Sequence, residues 1–183
     1  MKPINKDTWD NAKEYSDFEK LPAGGYVCAI MNAEDFPEKE YLAITYDIAE
    51  GDYADYYSDD WGKEHPYAHR FVRSYKEKAM GMMKGFLNAV DESNGTSFGE
   101  SITTGLDEHR LVGRLVGLIL REEEYESNRG DIRRRLAVHR AVSIDTIRSG
   151  NYKVPDLKRL DGNTDTPQTP AGFEPVSVDD MPF

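Results

Sequence analysis

Apolar and polar positions alternate along much of the chain, and this alternation predicts short β-strands. Over residues 40–50 every second position is apolar, which is the period of a strand with one face buried. The apolar face of that segment carries Leu42, Ile44, Tyr46 and Ile48. Residues 26–31 and 67–75 have the composition of two further strands. The first 75 residues therefore predict three strands.

A helical pattern follows the third predicted strand. Apolar residues recur at steps of three and four, at Ala79, Met82, Met83, Phe86, Leu87 and Val90. Ser93, Asn94 and Gly95 then form a stop signal typical of a helix C-terminus. The segment predicts one amphipathic helix whose methionines fill the core.

Two more strands are predicted between the helix and residue 160. Residues 111–120 are nearly all apolar, and Gly113 and Gly117 allow this strand to bend or to approach another backbone. Residues 131–144 predict a long final strand, which an acidic turn at residues 122–130 joins to the fourth. The predicted inward-facing residues of this strand are Ile132, Leu136, Val138, Val142 and Ile144.

The order of these elements predicts the fold class. Three strands, a helix and two strands are the arrangement of a mainly β, five-stranded OB-fold barrel with a helix between strands 3 and 4. We expect an N-terminal extension at residues 1–20, the OB-fold domain at residues 21–160 and a flexible acidic tail at residues 161–183. The tail has four prolines and few apolar residues, so its ordering would lose entropy with little burial in return.

The distribution of charge along the chain and its net charge lead to different conclusions about nucleic-acid binding. A net charge of -11 argues against a nucleic-acid-binding protein. However, residues 1–60 carry 15 acidic and 5 basic residues, whereas residues 110–160 carry 7 acidic and 12 basic ones. A basic face is therefore expected in the second half of the chain. With no membrane-spanning run, no secretory segment and a single cysteine, Cys28, we expect a cytoplasmic protein.

Binding of a single strand requires cations for the phosphates and flat rings for the bases. The candidate cations are Arg70, Arg73, Arg114, Arg121, Arg129, Arg133 and Arg135. The candidate rings are Tyr41, Tyr53, Tyr56, Tyr57, Trp61, Tyr67, Tyr75 and Tyr125. Trp61 is the strongest of these, because an exposed indole in a loop is costly without a partner. The alternatives are that each ring packs in the core and that the arginines pair with the glutamates at residues 122–124.

The sequence offers little for catalysis. The loop carboxylates Asp52, Asp55, Asp59 and Asp60 do not have the spacing of a calcium-binding loop. Pro66 lies between His65 and His69 and argues against a helix that would direct both at one metal ion. A phosphate-binding loop, a nucleophile elbow and a Cys/His pair are all absent from the sequence. We therefore expect no enzyme activity, cofactor or metal.

The last five residues form a short acidic and aromatic hook. They are Asp179, Asp180, Met181, Pro182 and Phe183. A terminal Phe can fill an apolar pocket on a partner while the carboxylates contact basic residues around it. This ending resembles the acidic tip of single-stranded-DNA-binding proteins of bacteria and their phages.

Several stretches also resemble a phage family of single-strand-binding proteins. They are residues 21–28, 46–51, 73–77, 111–117, 123–125 and 147–150, with Val154 and Pro155. The resemblance implies an OB-type core, binding of single-stranded DNA during replication or recombination, and recruitment of replication, recombination or repair proteins through the tail. The chain differs from better-known bacterial members in its tyrosine-rich acidic loop and its acidic N-terminal third.

Two functional hypotheses follow from these observations. In the first, the protein coats single-stranded DNA and recruits partners through its tip. In the second, it is an OB-fold protein-interaction adaptor without DNA binding. We expect a homo-oligomer, a dimer or a tetramer, because exposed sheet edges are natural contacts between copies.

Overall fold

Five antiparallel strands form one sheet in the computed structural model, which describes residues 2–10 and 20–160. The strands are β1 (Gly24–Phe36), β2 (Tyr41–Ile48), β3 (Arg70–Ser74), β4 (Leu115–Glu126) and β5 (Ile132–Val142). Their order across the sheet is β3-β2-β1-β4-β5. The predicted number and sequence of strands are confirmed, and so is the mainly β character of the chain.

Within residues 2–10 and 20–160, five helices and several 3-10 turns accompany the sheet. The helices are α1 (Lys6–Asp10), α2 (Asp60–Glu64), α3 (Met80–Asn94), α4 (Phe98–Ser101) and α5 (Ile144–Arg148). The turns are Pro37–Lys39, Pro66–His69, Glu77–Ala79 and Glu108–Leu111. Among the described helices, none combines the length and apolar character needed to cross a membrane.

The sheet is open, so the prediction of a closed barrel is wrong. Within the described residues β3 pairs with β2 and β5 pairs with β4, and no pairing joins the two edge strands β3 and β5. β3 contributes only five residues, and α3 packs against β3, β4 and β5. The helix thus contacts both edges of the sheet, which remain without direct hydrogen bonds to each other.

The helix that the sequence predicts at residues 79–90 is confirmed as α3. Its buried residues are Met83, Phe86, Leu87, Ala89 and Val90. It ends at Gly95, whose φ of +64° is the left-handed conformation that favours glycine. Before that, the Asn94 side chain donates to the Leu115 carbonyl at 2.8 Å and accepts from the Leu115 N–H at 3.0 Å. These two bonds tie the end of α3 to the first residue of β4.

β2 is buried on both faces, whereas its alternating pattern predicts burial of one. Tyr41 lies on the face away from the core, but its ring stacks on Phe36 with centroids 4.9 Å apart. Asp47, on the same face, accepts hydrogen bonds at Oδ1 from the Ile48 and Tyr57 N–H groups. A neighbouring ring and the following loop therefore cover the polar face, which the pattern of β2 alone does not reveal.

β4 and β5 extend beyond the end of the sheet. β1 pairs with β4 only up to the pair Gly24 and Leu120, while the β4–β5 pairing continues to Glu126 and Ile132. Residues 121–137 therefore form a two-stranded projection, called here the β4–β5 ribbon. Most of the predicted acidic turn at residues 122–130 is strand. Ile132, predicted to face inward, is 66% exposed, because the ribbon lies beyond the core.

Two glycines allow α5 to pack on the outer face of the sheet. A Cβ at Gly117 would lie 2.6 Å from Ile147 Cγ1 and 2.9 Å from the carbonyl oxygens of Val142 and Ser143. At Gly25 a Cβ would overlap both Ile147 and the Tyr152 ring. The close approach of α5 and the following segment thus requires the absence of side chains on β1 and β4.

Gly117→Ala is expected to lower the free energy of unfolding by about 1–3 kcal/mol, which is typical of overpacking a filled site. Two of the atoms that the new methyl group meets are backbone carbonyl oxygens, which cannot rotate away. Urea unfolding followed by circular dichroism measures the change. The matched control is Gly85→Ala on the exposed side of α3, where a Cβ has no neighbour within 4 Å. The control should raise stability by about 0.5–1 kcal/mol, and an equal effect of both substitutions would contradict the packing described.

Candidate nucleic-acid interface

The β4–β5 ribbon separates its charges between two faces. Directly opposed residues of an antiparallel pair share a face, and Tyr125 lies opposite Arg133 while Glu123 lies opposite Arg135. Arg121, two residues before Glu123, shares the same face. We call this side the arginine face, defined by Arg121, Tyr125, Arg133 and Arg135, with Glu123 among them. Three cations and one carboxylate leave it positively charged.

Ion pairs within the arginine face neutralise part of its positive charge. Arg121 donates from Nε and Nη2 to Glu123 Oε1, at 3.1 and 2.8 Å. Arg135 lies 3.9 Å from the other Glu123 oxygen, and its guanidinium is 5.5 Å from the Tyr125 ring centroid. Glu123 is therefore shared by two arginines, while Arg133 makes no ion pair within the described residues and is exposed.

The opposite face of the ribbon is acidic. Glu122, Glu124 and Glu126 lie there together with Arg134, which is 3.5 Å from Glu124. The segment that ends at residue 160 runs along the same ribbon, where Lys158 exchanges backbone hydrogen bonds with residues 122 and 124. The ribbon therefore has similar numbers of acids and bases but places them on different sides.

The tip of the ribbon adds an open cleft of about 300 Å³, lined by Ser127, Asn128, Arg129 and Arg133. A hydrogen bond from the Ser127 N–H to the Asp131 carbonyl closes the turn at 2.8 Å. Arg129 and Arg133 are both exposed at this tip. Two guanidinium groups beside a hydroxyl and an amide are suited to contact phosphate oxygens.

The connection between β2 and β3 presents two exposed rings. Trp61 is 50% exposed and Tyr67 is 82% exposed. The Trp61 ring stacks on His65 with centroids 4.7 Å apart and an interplanar angle of 15°. We call residues 57–69 the aromatic loop. The exposure of Trp61 that the sequence predicts is confirmed. The His65 ring covers one face of the indole.

Two polar side chains, those of Asp59 and His69, fix the aromatic loop on the sheet. Asp59 Oδ1 accepts from the Gly62 N–H at 2.8 Å and caps α2. His69 is buried, with Nδ1 2.5 Å from the Tyr46 carbonyl oxygen and Nε2 3.2 Å from that of Gly62. Its ring stacks on Tyr57 with centroids 4.5 Å apart. One histidine therefore connects α2, β2 and the start of β3.

Two of the predicted stacking rings anchor the loop and a third packs on the sheet, so these three do not present a surface. Tyr57 is 5% exposed, and burial, more than its charged neighbours, raises its pKa. Tyr56 contacts Tyr57 and Tyr53 edge to face, and its hydroxyl accepts from the Leu21 N–H at 3.1 Å. Tyr41 is buried against Phe36 as described. For Tyr41 and Tyr57, the alternative that the rings pack internally is the one that the structure favours.

Three predicted cations lie away from the ribbon. Arg70 pairs with Glu34 at 3.1 Å, on the outer face of the sheet. Arg73 is 5% exposed and points to the core side of β3. Arg114 lies before β4, at the end of the sheet where α3 ends, and donates to the Arg110 carbonyl at 3.4 Å. The structure therefore does not bring these three together with the arginine face.

The ribbon and the aromatic loop leave the same end of the sheet. The ribbon begins where β1 starts at Gly24, and the loop follows the end of β2, whose Ile48 pairs with Cys28 of β1. The Tyr26 and Tyr53 rings make contact there, with centroids 6.1 Å apart. β2 and β4 flank β1, so the bases of the two elements are roughly 10 Å apart. This separation is comparable to the length of a short stretch of single-stranded nucleotides.

Sequence inspection missed three residues that take part in these surfaces. His65 forms a stack with Trp61, and its spacing of four residues on a short helix is the signal that could have indicated this. Phe36 lies under both Tyr41 and the Arg70 guanidinium, at 5.7 Å from the latter. Arg134 alternates with Arg133 and Arg135, so strand periodicity could have placed it on the acidic face.

The described residues contain no group of three His, Cys, Asp or Glu side chains that could hold a metal ion. The predicted partner-binding residues Asp179, Asp180, Met181, Pro182 and Phe183 lie outside the residues that the structure describes. No protein-family model matches the chain, and no curated protein matches it either.

Proposed function

We propose that this protein binds single-stranded DNA with little sequence preference and has no enzymatic activity. The observation that supports this function best is the placement of the arginine face and the aromatic loop at one end of the sheet. Cations that follow a phosphate backbone and rings that stack on bases are the two requirements of sequence-tolerant strand binding. Arg133 of the arginine face and Arg129 at the ribbon tip are exposed, and so are Trp61 and Tyr67 of the aromatic loop.

In the proposed complex, the strand crosses the end of the sheet between the two elements. Bases stack on Trp61 and Tyr67, while Arg129, Arg133 and Arg135 contact phosphates. Tyr125, partly exposed under Arg135, offers a further ring on the ribbon. The acidic face of the ribbon points the other way and confines the strand to one side.

The topology supports an OB-type assignment for this module. The order β3-β2-β1-β4-β5, with the main helix between β3 and β4, is what an OB barrel gives when its β3–β5 contact is opened. OB folds commonly bind oligonucleotides on a sheet face flanked by loops, including the one between strands 4 and 5. The ribbon is the counterpart of that loop here.

The proposal includes a role in the phage or bacterial cytoplasm, during DNA replication or recombination. The acidic residues at the chain end, Asp179 and Asp180 with Met181, Pro182 and Phe183, would recruit other proteins of these processes. Copies of the chain would associate as a dimer or tetramer. The resemblance to single-strand-binding proteins supports these three statements.

Replacing both Arg133 and Arg135 with Gln tests the proposed interface. Oligothymidylate affinity should fall as salt rises, and each lost phosphate contact reduces the log–log slope by about 0.7. The double variant should therefore show a slope smaller in magnitude by roughly 1.4. Fluorescence anisotropy of a labelled oligothymidylate across a salt series measures this slope.

The control for this experiment is the double variant Arg114→Gln with Lys84→Gln, which removes two exposed cations away from the ribbon. Its slope should match that of the unmodified protein. Equal loss in both variants would mean that general charge, and not the arginine face, governs binding. Absence of any single-strand binding at low salt would favour the OB-fold adaptor instead.

A further inference from the structure

A groove of about 230 Å³ lies between helix α3 and the edge of the sheet that β5 forms. One wall is a single face of α3, because its residues recur at steps of three and four. They are Gly85, Asn88, Ala89 and Glu92. The other wall consists of residues 140–143, at the end of β5 and directly after it, with Thr146 of α5. The groove therefore has a helix on one side and a strand on the other.

The strand side of the groove is the free edge of β5. Successive side chains of a strand point to opposite faces, so four consecutive residues line one groove where the strand presents its backbone edge. β5 is the last strand of the sheet, and within residues 2–10 and 20–160 its backbone makes hydrogen bonds only to β4. In an antiparallel pair, alternate residues direct their N–H and C=O groups away from the partner strand. The groove thus presents backbone donors and acceptors at the spacing of a strand ladder.

The helix side of the groove leaves room for a further strand. Gly85 has no side chain, and a Cβ at this position would have no neighbour within 4 Å. Ala89 contributes a single methyl group to the wall. The Asn88 amide is exposed and makes no hydrogen bond within the described part of the chain, so it is free to bond an added backbone. Addition of an extended peptide to a sheet edge is a recurrent mode of protein recognition.

The charge of β5 indicates which kind of chain fits this edge. β5 contains four arginines, one histidine and no acidic residue. On its paired edge, Arg134 and Arg135 meet Glu124 and Glu123 of β4. Arg140 is exposed and makes no ion pair among the residues that the structure describes. Like charges directly opposite each other are destabilising, so the free edge disfavours β5 of a second copy and favours an acidic strand.

Strand alternation predicts the pattern of side chains on the added chain. Ala141 lies opposite Leu118, which is fully buried, so Ala141 faces the core and Arg140 before it points to the outer face. An added strand therefore places every second side chain beside Arg140 and the others beside α3. Carboxylates suit the first set. Small or β-branched apolar side chains suit the second, because the exposed Glu92 would repel a further carboxylate there.

We propose that the groove between α3 and β5 binds an extended acidic segment of a partner protein, which adds to the β5 edge as a further strand. Its backbone pairs with residues 140–142, and its carboxylates contact Arg140. The described chain leaves along the other side of the ribbon, where Lys158 bonds β4 at residues 122 and 124, so a separate protein is the more direct source of this strand. The proposal does not rest on DNA binding, since residues 138–142 lie outside the ribbon.

NMR titration of the isotope-labelled full chain with a short peptide of alternating Val and Asp, blocked at both ends, tests the groove. Amide signals of residues 138–142 and of Gly85 should shift. Exchange of the β5 amide hydrogens that point away from β4 should slow, because they enter a new ladder. The same peptide with Lys in place of Asp should not bind. Equal binding of both peptides, or shifts confined to other parts of the chain, would overturn the proposal.

N-methylated peptides separate strand addition from attraction by charge alone. The N–H groups of either the Val or the Asp residues must point towards β5, because consecutive residues of a strand alternate in direction. Methylation of one of these two sets should therefore abolish binding, whereas methylation of the other set should leave it. If both methylated peptides bound as well as the unmodified one, the edge would not be the site.

Gly85→Leu fills the groove from the helix side. It should weaken binding of the Val/Asp peptide by about 5- to 150-fold, as expected of overpacking a filled site. Leu is a better helix former than Gly, so the fold should be retained, which circular dichroism checks. Lys84→Leu adds the same side chain at a position that does not line the groove, and it should leave the affinity within about two-fold. Unchanged affinity in Gly85→Leu would reject the groove.

Two measurements without peptide identify other occupants. If Gly85→Leu shifts the amide signals of residues 161–183, the C-terminal segment of this chain fills the groove. If Gly85→Leu lowers the mass found by sedimentation, a second copy fills it. Either result would reject a partner protein as the occupant, and we expect neither. Arg140→Glu should weaken binding of the acidic peptide several-fold in the full chain, and tighter binding would contradict the charge pairing.

Discussion

Replacing Trp61 with Ala is expected to weaken oligothymidylate binding by about 5- to 150-fold, because base–aromatic stacking contributes about 1–3 kcal/mol per base. The indole is half exposed and its other side is supported by the His65 ring, so the surface offered to a base is already in place before binding. Because the indole is already positioned, binding would cost little side-chain entropy, and most of the stacking energy would contribute to the affinity. Anisotropy titration of a labelled oligothymidylate at one fixed salt concentration measures the ratio of dissociation constants.

Trp9→Ala is the matched control for this substitution. Trp9 is 67% exposed on α1, so the change removes the same side chain without touching the aromatic loop. It should leave the dissociation constant within about two-fold, as expected of a surface substitution outside the interface. An equal loss in both variants would show that exposed indoles bind DNA irrespective of their place, and no loss in Trp61→Ala would remove the loop from the interface.

Gly62→Ala is expected to damage both stability and DNA binding. A Cβ at this position would lie 2.0 Å from the Tyr57 carbonyl oxygen and within 2.7 Å of two other Tyr57 backbone atoms. No rotamer change relieves an overlap with backbone, so α2 must move away from Tyr57. That movement would disturb the Asp59 cap and the His69 contact, both of which involve Gly62.

The expected loss of unfolding free energy for Gly62→Ala is about 1–3 kcal/mol, as for other overpacked sites. Oligothymidylate binding should weaken as well, since the displaced helix carries Trp61. Glu64→Ala, an exposed change in the same helix, should alter stability by less than about 0.5 kcal/mol and should not weaken binding. If Gly62→Ala bound DNA normally at full stability, the loop would not be held as described.

Local sequence patterns were sufficient for the order of the elements. Helix α3 follows from apolar steps of three and four with a glycine at its end, and these features act within a few residues of one another. Closure of the barrel could not be predicted in this way, because it depends on whether two distant edge strands meet. β3 is short, and α3 packs against both edges, so the sheet remains open.

The candidate site could be predicted only in part, because some of its features depend on contacts between distant segments. Trp61 and the arginines of the ribbon follow from local chemistry and strand periodicity. The burial of Tyr41 and Tyr57 depends on Phe36 and His69, which are partners from other segments. The sequence includes Arg73 among the cations for phosphates, and only the pairing of β3 with β2 reveals that it faces the core.

The two-sided charge of the β4–β5 ribbon gives the molecule different electrostatic characters at different distances. At separations well beyond the Debye length, which is about 8 Å at physiological ionic strength, the net charge of -11 is screened and neither sign dominates. In dilute salt the screening length grows to about 30 Å, and an approaching polyanion meets the repulsion of the whole chain before it reaches the arginines. Under the proposed function, capture of a DNA strand is then a short-range event, in which the small arginine face holds the strand while the net negative charge of the chain repels other polyanions.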